Sequence, residues 1–222
     1  MCEISNLQLK CKPYAQIVAQ FMNRLYRMGL TSTSGGNISL RINEDLIAIT
    51  PSQTDKGNIE WDQIALLSIQ GENLTPSMKL SIESEMHRLI MIKRPDVNAV
   101  VHAHPCTASL LSASDLDVDA SFLAEHYAIL DKVVRIPYAL MGTKALAEAV
   151  SEGLIGANAG LLENHGAIAV GPSMLKAFDR LELLENAAKL TVNAAMLRAC
   201  GIAVQPLTQQ RKDEIDGTWK KS

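Results

Sequence analysis

No stretch of this chain is apolar for long enough to cross a bilayer, which excludes a membrane-spanning helix. The first residues carry no leader pattern either, so a cytoplasmic location is expected. Charge of neither sign dominates. With 21 Lys and Arg against 24 Asp and Glu, the formal net charge is −3, too near neutral for a nucleic-acid or membrane-surface binder. The four cysteines (Cys2, Cys11, Cys106 and Cys200) form no Cys-x-x-Cys pair and no framework spacing. They read as reduced thiols, and Cys106 is not taken as a ligand despite its neighbours. There is no G-x-S-x-G elbow, no Walker A ending and no G-x-G-x-x-G spacing. Serine-nucleophile, P-loop and dinucleotide chemistry are therefore set aside.

What is present is ordinary globular material, 222 residues with 47% apolar and 20% charged. It suffices for one domain with a sizeable core, and residues 1–222 are expected to form it. Helical spacing runs from Pro13 to Met28, Ser81 to Lys93, Cys106 to Ser112, Thr143 to Glu152 and Met174 to Ala199. Strands are expected at Ile38–Ile42 and Leu46–Thr50 (a hairpin), Ala65–Ile69, Val97–His102, Val133–Ile136, Gly160–Glu163 and Ala167–Val170. Several of these lie too close together for parallel crossovers. The pattern predicts a three-layer α/β/α sandwich around a mainly antiparallel sheet. From about residue 201 the sequence turns polar, and this tail is expected to order only against a partner.

Chemistry concentrates in a few places. Val100-Val101-His102-Ala103-His104 ends an apolar run with two histidines two apart, which puts both rings on one face of a strand. A third histidine, His165, interrupts two apolar strands within Glu163-Asn164-His165-Gly166. Three neutral imidazoles suit Zn²⁺ and leave positions open for substrate oxygens. Glu83 and His87 stand four apart and share a helical face, which would put a carboxylate beside the ion as general acid/base. Periodicity alone does not choose between Glu83 and Glu85, and His87 reads as a buried, hydrogen-bonded residue rather than a ligand. Ser34-Gly35-Gly36-Asn37 and Thr50-Pro51-Ser52-Gln53 are polar turns, each readable as an anion cradle or as a plain turn.

Taken in order, Ser34-Gly35-Gly36-Asn37, Thr50-Pro51-Ser52, Lys79-Leu80-Ser81-Ile82-Glu83, His102-Ala103-His104 and Asn164-His165-Gly166 closely resemble the class II aldolase/adducin family. The resemblance spans most of the chain. It implies His102, His104 and His165 as ligands of Zn²⁺ (with Mn²⁺ or Co²⁺ as alternatives) and Glu83, rather than Glu85, as the acid/base. Glu125-His126-Tyr127 resembles the segment that sends a catalytic tyrosine into a neighbouring subunit's site, which implies that role for Tyr127 in a homotetramer. The family's phosphate pocket falls on Ser34, Gly36, Asn37, Ser52, Gln53 and Ser81. Two positions depart from the pattern, since Gln53 replaces a usual glycine and Ile82 a serine.

The activity implied is that of a lyase cleaving a phosphorylated ketose of the fuculose 1-phosphate type to dihydroxyacetone phosphate and an aldehyde, through a zinc-stabilised enediolate. A family decarboxylase acting on a 3-oxo-tetronate phosphate or related sugar acid is the alternative. A 4-epimerase would carry aspartate at position 83, and the non-catalytic adducin-like scaffold lacks the histidines. The expected partners are therefore a small sugar phosphate or sugar acid and further copies of the chain, with no nucleic acid and no membrane.

Overall fold

The computed structural model describes residues 5–219. Seven strands form one sheet: β1 (Asn37–Arg41), β2 (Leu46–Ile49), β3 (Ala65–Ser68), β4 (Ala99–Ala103), β5 (Val133–Ile136), β6 (Ala159–Leu162) and β7 (Gly166–Gly171). Their order is β3-β2-β1-β4-β7-β6-β5, antiparallel throughout except for the parallel β5–β6 pair. The short turns between β1 and β2 and between β6 and β7 leave antiparallel pairing as the accessible solution.

Seven helices cover both faces. They are α1 (Asn6–Arg27), α2 (Ser84–Lys93), α3 (Cys106–Ser112), α4 (Ala124–Leu130), α5 (Lys144–Gly153), α6 (Met174–Ala199) and α7 (Gln209–Trp219). Alternation along each strand divides the core in two. Leu40, Ala48, Val101 and Ala169 join α1, α3 and α6 on one side. Ile47, Ile49, Val100, Ile168 and Val170 join α2 and α5 on the other. The α/β/α sandwich expected from the pattern is the fold observed. No helix among the described residues is long and apolar enough to cross a membrane.

Besides α4, which the pattern did not predict, three elements differ from expectation. α1 begins seven residues before Pro13, because Ser5 and Gln8 form a reciprocal capping box that starts the helix upstream and holds Pro13 inside it. The second helix starts at Ser84 rather than Ser81, leaving Glu83 at its N-cap with non-helical backbone (φ −103°, ψ 10°). The tail does not wait for a partner: α7 forms and packs on α4, where Tyr127 Oη donates to Asp216 Oδ2 at 2.9 Å and Lys212 lies over the Tyr127 ring. Of the cysteines, Cys11, Cys106 and Cys200 are free, and Cys2 lies outside the described residues.

Candidate metal centre and substrate cavity

The site is built where three strand ends meet. β4 is flanked by β1 and β7, with Asn37 paired to His102 and His102 to Ile168. His102 shares parity with Val100, so it faces the layer that holds α2, and Asn37, its cross-strand neighbour, faces the same way. His104 lies just past the end of β4, its amide donating to the Leu30 carbonyl at 3.2 Å. His165 is delivered by the turn between β6 and β7, where Asn164 adopts φ +53°. Asn is among the few side chains that tolerate that region.

The three imidazoles stand with centroids 4.8–5.5 Å apart, His102 edge-on to the other two, and one nitrogen of each lies within 4.8 Å of the others. His102 Nδ1 donates to the Ala167 carbonyl at 3.0 Å, which fixes the tautomer and leaves Nε2 as a lone pair. That Nε2 and His104 Nε2 are buried with no hydrogen-bond partner. Orphaned acceptors at this depth are costly unless something electron-poor sits between them. The donor set therefore fits a divalent cation of zinc type. Burial favours the neutral form of two of the rings, lowering the proton affinity of His102 to about 4 and that of His104 in the same direction.

Glu83 is 6% exposed and closes the fourth side. Its Oε2 lies 3.3 Å from His102 Nε2 and its Oε1 3.2 Å from His165 Nε2. Burial pushes this carboxyl up. The imidazoles of His102 and His165 beside it and the hydrogen bond from Asn37 outweigh that push and hold it well below the usual carboxylate range. Glu85 turns outward into a bidentate pair with Arg88 at 2.7 and 2.8 Å, which removes the ambiguity left by periodicity.

A chain of polar contacts aims Glu83. Asn37 Nδ2 donates to Glu83 Oε2 (2.8 Å) and Ser81 Oγ (3.1 Å), and its Oδ1 lies 2.5 Å from His87 Nε2. The carboxylate can only accept, so the amide must present its nitrogen to Glu83 and its oxygen to His87. His87 Nε2–H is then the donor, and Nδ1 accepts from Ser39 Oγ at 2.7 Å. His87 is fully buried and belongs to this chain of bonds rather than to the histidine cluster, as its sequence position suggested.

A cavity of about 290 Å³ opens onto the cluster. Ser34, Gly36, Asn37, Ser52, Gln53, Ser81 and Glu83 all line it beside His104 and His165, so the two polar turns and the metal centre share one space. Gln53 holds φ +60°, the backbone conformation a glycine would supply. Ile82 and Met141 form an apolar rim, each more than half exposed. Lys56 also lines the cavity and was not singled out from sequence, since Thr54-Asp55-Lys56-Gly57 looks like an ordinary solvated turn. Tyr127 is not brought to this cavity within its own chain. It lies on α4 beneath α7.

A mostly antiparallel sheet between two helical layers, with a three-histidine cluster and a buried glutamate at the strand ends, defines a fold with a candidate metal centre. Residues 16–192 match the model of the Class II Aldolase and Adducin N-terminal domain, and the chain belongs to that family. It is 36% identical over 182 residues to a 5-deoxy-D-ribulose 1-phosphate aldolase of Bacillus thuringiensis, covering 81% of this chain and 84% of the relative. It is 31% identical over 179 residues to a 3-oxo-tetronate 4-phosphate decarboxylase of Haemophilus influenzae, covering 79% and 85%. A solved L-fuculose 1-phosphate aldolase superposes with a TM-score of 0.80 at 29% identity, covering 94% of this chain and 96% of that one. The enzymes of this family are metal-dependent, and His102, His104 and His165 could hold the ion.

Proposed function

We propose that the chain is a metal-dependent lyase that cleaves a phosphorylated ketose by retro-aldol chemistry, releasing a dihydroxyacetone phosphate-like fragment and an aldehyde. The observation that carries the reading is the buried, ionised Glu83 held against the imidazole cluster at the floor of a hydroxyl-lined cavity. His102, His104 and His165 would hold zinc, with manganese or cobalt as substitutes, and the bound ion supplies Lewis acidity to the substrate's oxygens. Glu83 holds and moves the proton at the carbon left by C–C cleavage, and Asn37 keeps its Oε2 aimed. Ser34, Gly36, Ser52, Gln53 and Ser81 seat the substrate's anionic end. Tyr127 serves the hydroxyl proton of the aldehyde half in a neighbouring subunit of a homotetramer, since it stands apart from its own chain's cavity. Residues 1–222 act as one catalytic unit, its C-terminal part from about 201 backing the helix that carries Tyr127.

The similarity to a 3-oxo-tetronate 4-phosphate decarboxylase favours a second reading in which the same Glu83 and histidines serve decarboxylation of a sugar acid phosphate. One experiment separates them: metal content by mass spectrometry on protein purified without chelators, with a panel of ketose 1-phosphates and 3-oxo-tetronate 4-phosphates. About one ion per chain and ketose cleavage, abolished in His104→Ala, supports the aldolase. Carbon dioxide release alone supports the decarboxylase. Neither product from metal-loaded protein would sink both.

A further inference from the structure

Lys56 is the one cation among the described residues that line the substrate cavity, and it has no acidic partner. Its side chain is 1% exposed. Nζ donates to the Pro51 carbonyl at 2.5 Å and to Thr54 Oγ1 at 3.2 Å, which leaves one of its three protons without an acceptor among the described residues. Two neutral acceptors do not repay the desolvation of an ammonium, and buried charges in folded proteins are as a rule paired. Burial alone lowers its proton affinity, to about 8, with no carboxylate pulling the other way. The one carboxylate in the cavity, Glu83, is committed to Asn37, His102 and His165. The missing counter-ion has to arrive with a ligand.

We infer that Lys56 is the counter-ion for the phosphate monoester of the substrate, seated at the 51–56 turn beside Ser34, Ser52 and Ser81. This rests on the reading of the substrate as phosphorylated. Three hydroxyls and a lysine offer more donors than the two oxygens of a carboxylate can use, whereas a phosphate dianion presents three terminal oxygens. The turn itself is shaped for the purpose. Gln53 is held at φ +60°, a conformation disfavoured for a residue with a side chain and common where backbone is aimed at a ligand. Lys56 also accounts for the departure at position 82. Ile82 brings no hydroxyl to the rim, and the positive charge of Lys56 in the same cavity replaces that lost donor.

The test uses the full, metal-loaded chain and inorganic phosphate, methyl phosphate and acetate as probes, read by calorimetry and thermal shift. Lys56→Gln keeps a donor for the Pro51 carbonyl and removes the charge, and Lys56→Met removes both. Both variants are expected to bind the two phosphates at least about tenfold more weakly than wild type while retaining metal, with the unliganded Tm kept in Lys56→Gln and lowered in Lys56→Met. Acetate should bind all three proteins equally. In turnover, KM for the phosphorylated substrate rises and kcat changes little. Wild-type phosphate binding in both variants would overturn the inference. So would loss in Lys56→Met alone, since that would make the lysine a tie for its turn. Lys56-dependent acetate binding without phosphate binding would overturn the phosphate assignment. Because phosphate binding is measured without turnover, failure of the lyase reading would be seen separately.

Discussion

Single atoms decide how closely the site can be built. A Cβ added at Gly166 would lie 2.6 Å from the Ala103 carbonyl and 2.6 Å from His104 Cδ2, so this position has no room for any side chain. Gly166→Ala is expected to push the His104 ring and the end of β4 apart, lowering metal affinity at least about tenfold and stability by about 1–3 kcal/mol. Metal titration of the purified variant checks this, and wild-type affinity would show that the strands relax freely. His87 carries a second prediction. Burial, then the neighbouring His102, lowers its proton affinity to about 3 against the opposing pull of Glu83. Between that value and the unfolded value near 6.5 the unfolded chain binds a proton that the folded chain refuses. Stability is therefore fully present above about pH 6.5 and falls as the medium is acidified. This residue contributes about 2 kcal/mol of loss between pH 7 and pH 5. Urea unfolding at both pH values should show a smaller difference in His87→Gln than in wild type. Equal differences would mean that His87 is protonated in the fold.

Helices and strands place these atoms, and the least obvious device joins α3 to α6. Glu185 of α6 is 3% exposed and accepts from the backbone amides of Thr107 (3.1 Å) and Ala108 (2.8 Å) in the first turn of α3. A carboxylate there satisfies donors that a helix start leaves open and complements its dipole. The histidine-bearing segment runs directly into that helix through Pro105. Glu185→Ala should cost about 2–4 kcal/mol of unfolding free energy, and Glu185→Gln about half of that. Denaturant titration measures both, and a change below about 0.5 kcal/mol in the alanine variant would mean that water replaces the carboxylate. Elements with a strong period were legible from sequence: Cys106–Ser112, Val133–Ile136 and Met174–Ala199 fall as expected. α4 was not, although it is as long as α3, because only His126 and Leu130 of its residues are buried and they mark too little of an apolar face. α7 was not either, because its polar residues outnumber the few that meet α4, and tertiary contact rather than pattern orders it. The start of α2 at Ser84 was equally hidden, although it decides that Glu83 turns inward and Glu85 outward.

At the scale of the whole molecule, the histidines, the glutamate and the two polar turns were legible because each is a short sequence motif. The Asn37–His87 pairing was not, because it joins residues fifty apart that no local spacing links, and Lys56 was not, because its contacts to Pro51 and Thr54 lie inside what reads as an ordinary solvated turn. The position of Tyr127 belongs to this scale too. Its hydroxyl is held against α7, while Ile82, Tyr138, Leu140 and Met141 stand 55–60% exposed about the mouth of the cavity and beside it. The proposed homotetramer would cover an apolar rim of this kind. In the proposed homotetramer, head-to-tail contacts would present one chain's Tyr127 to the next chain's Glu83. Subunit mixing then makes a quantitative prediction. Glu83→Gln and Tyr127→Phe are each expected to be nearly inactive alone. When the two are unfolded together in equal amounts and refolded, half of the sites contain an intact Glu83. Half of those face a neighbour with an intact Tyr127, so about one quarter of wild-type activity should return in a closed ring. If Tyr127 served its own chain, no mixed assembly would contain a complete site and activity would stay at the level of the single variants. Light scattering on the refolded mixture confirms that tetramers have formed, so a silent mixture of assembled chains would remove Tyr127 from the neighbouring site.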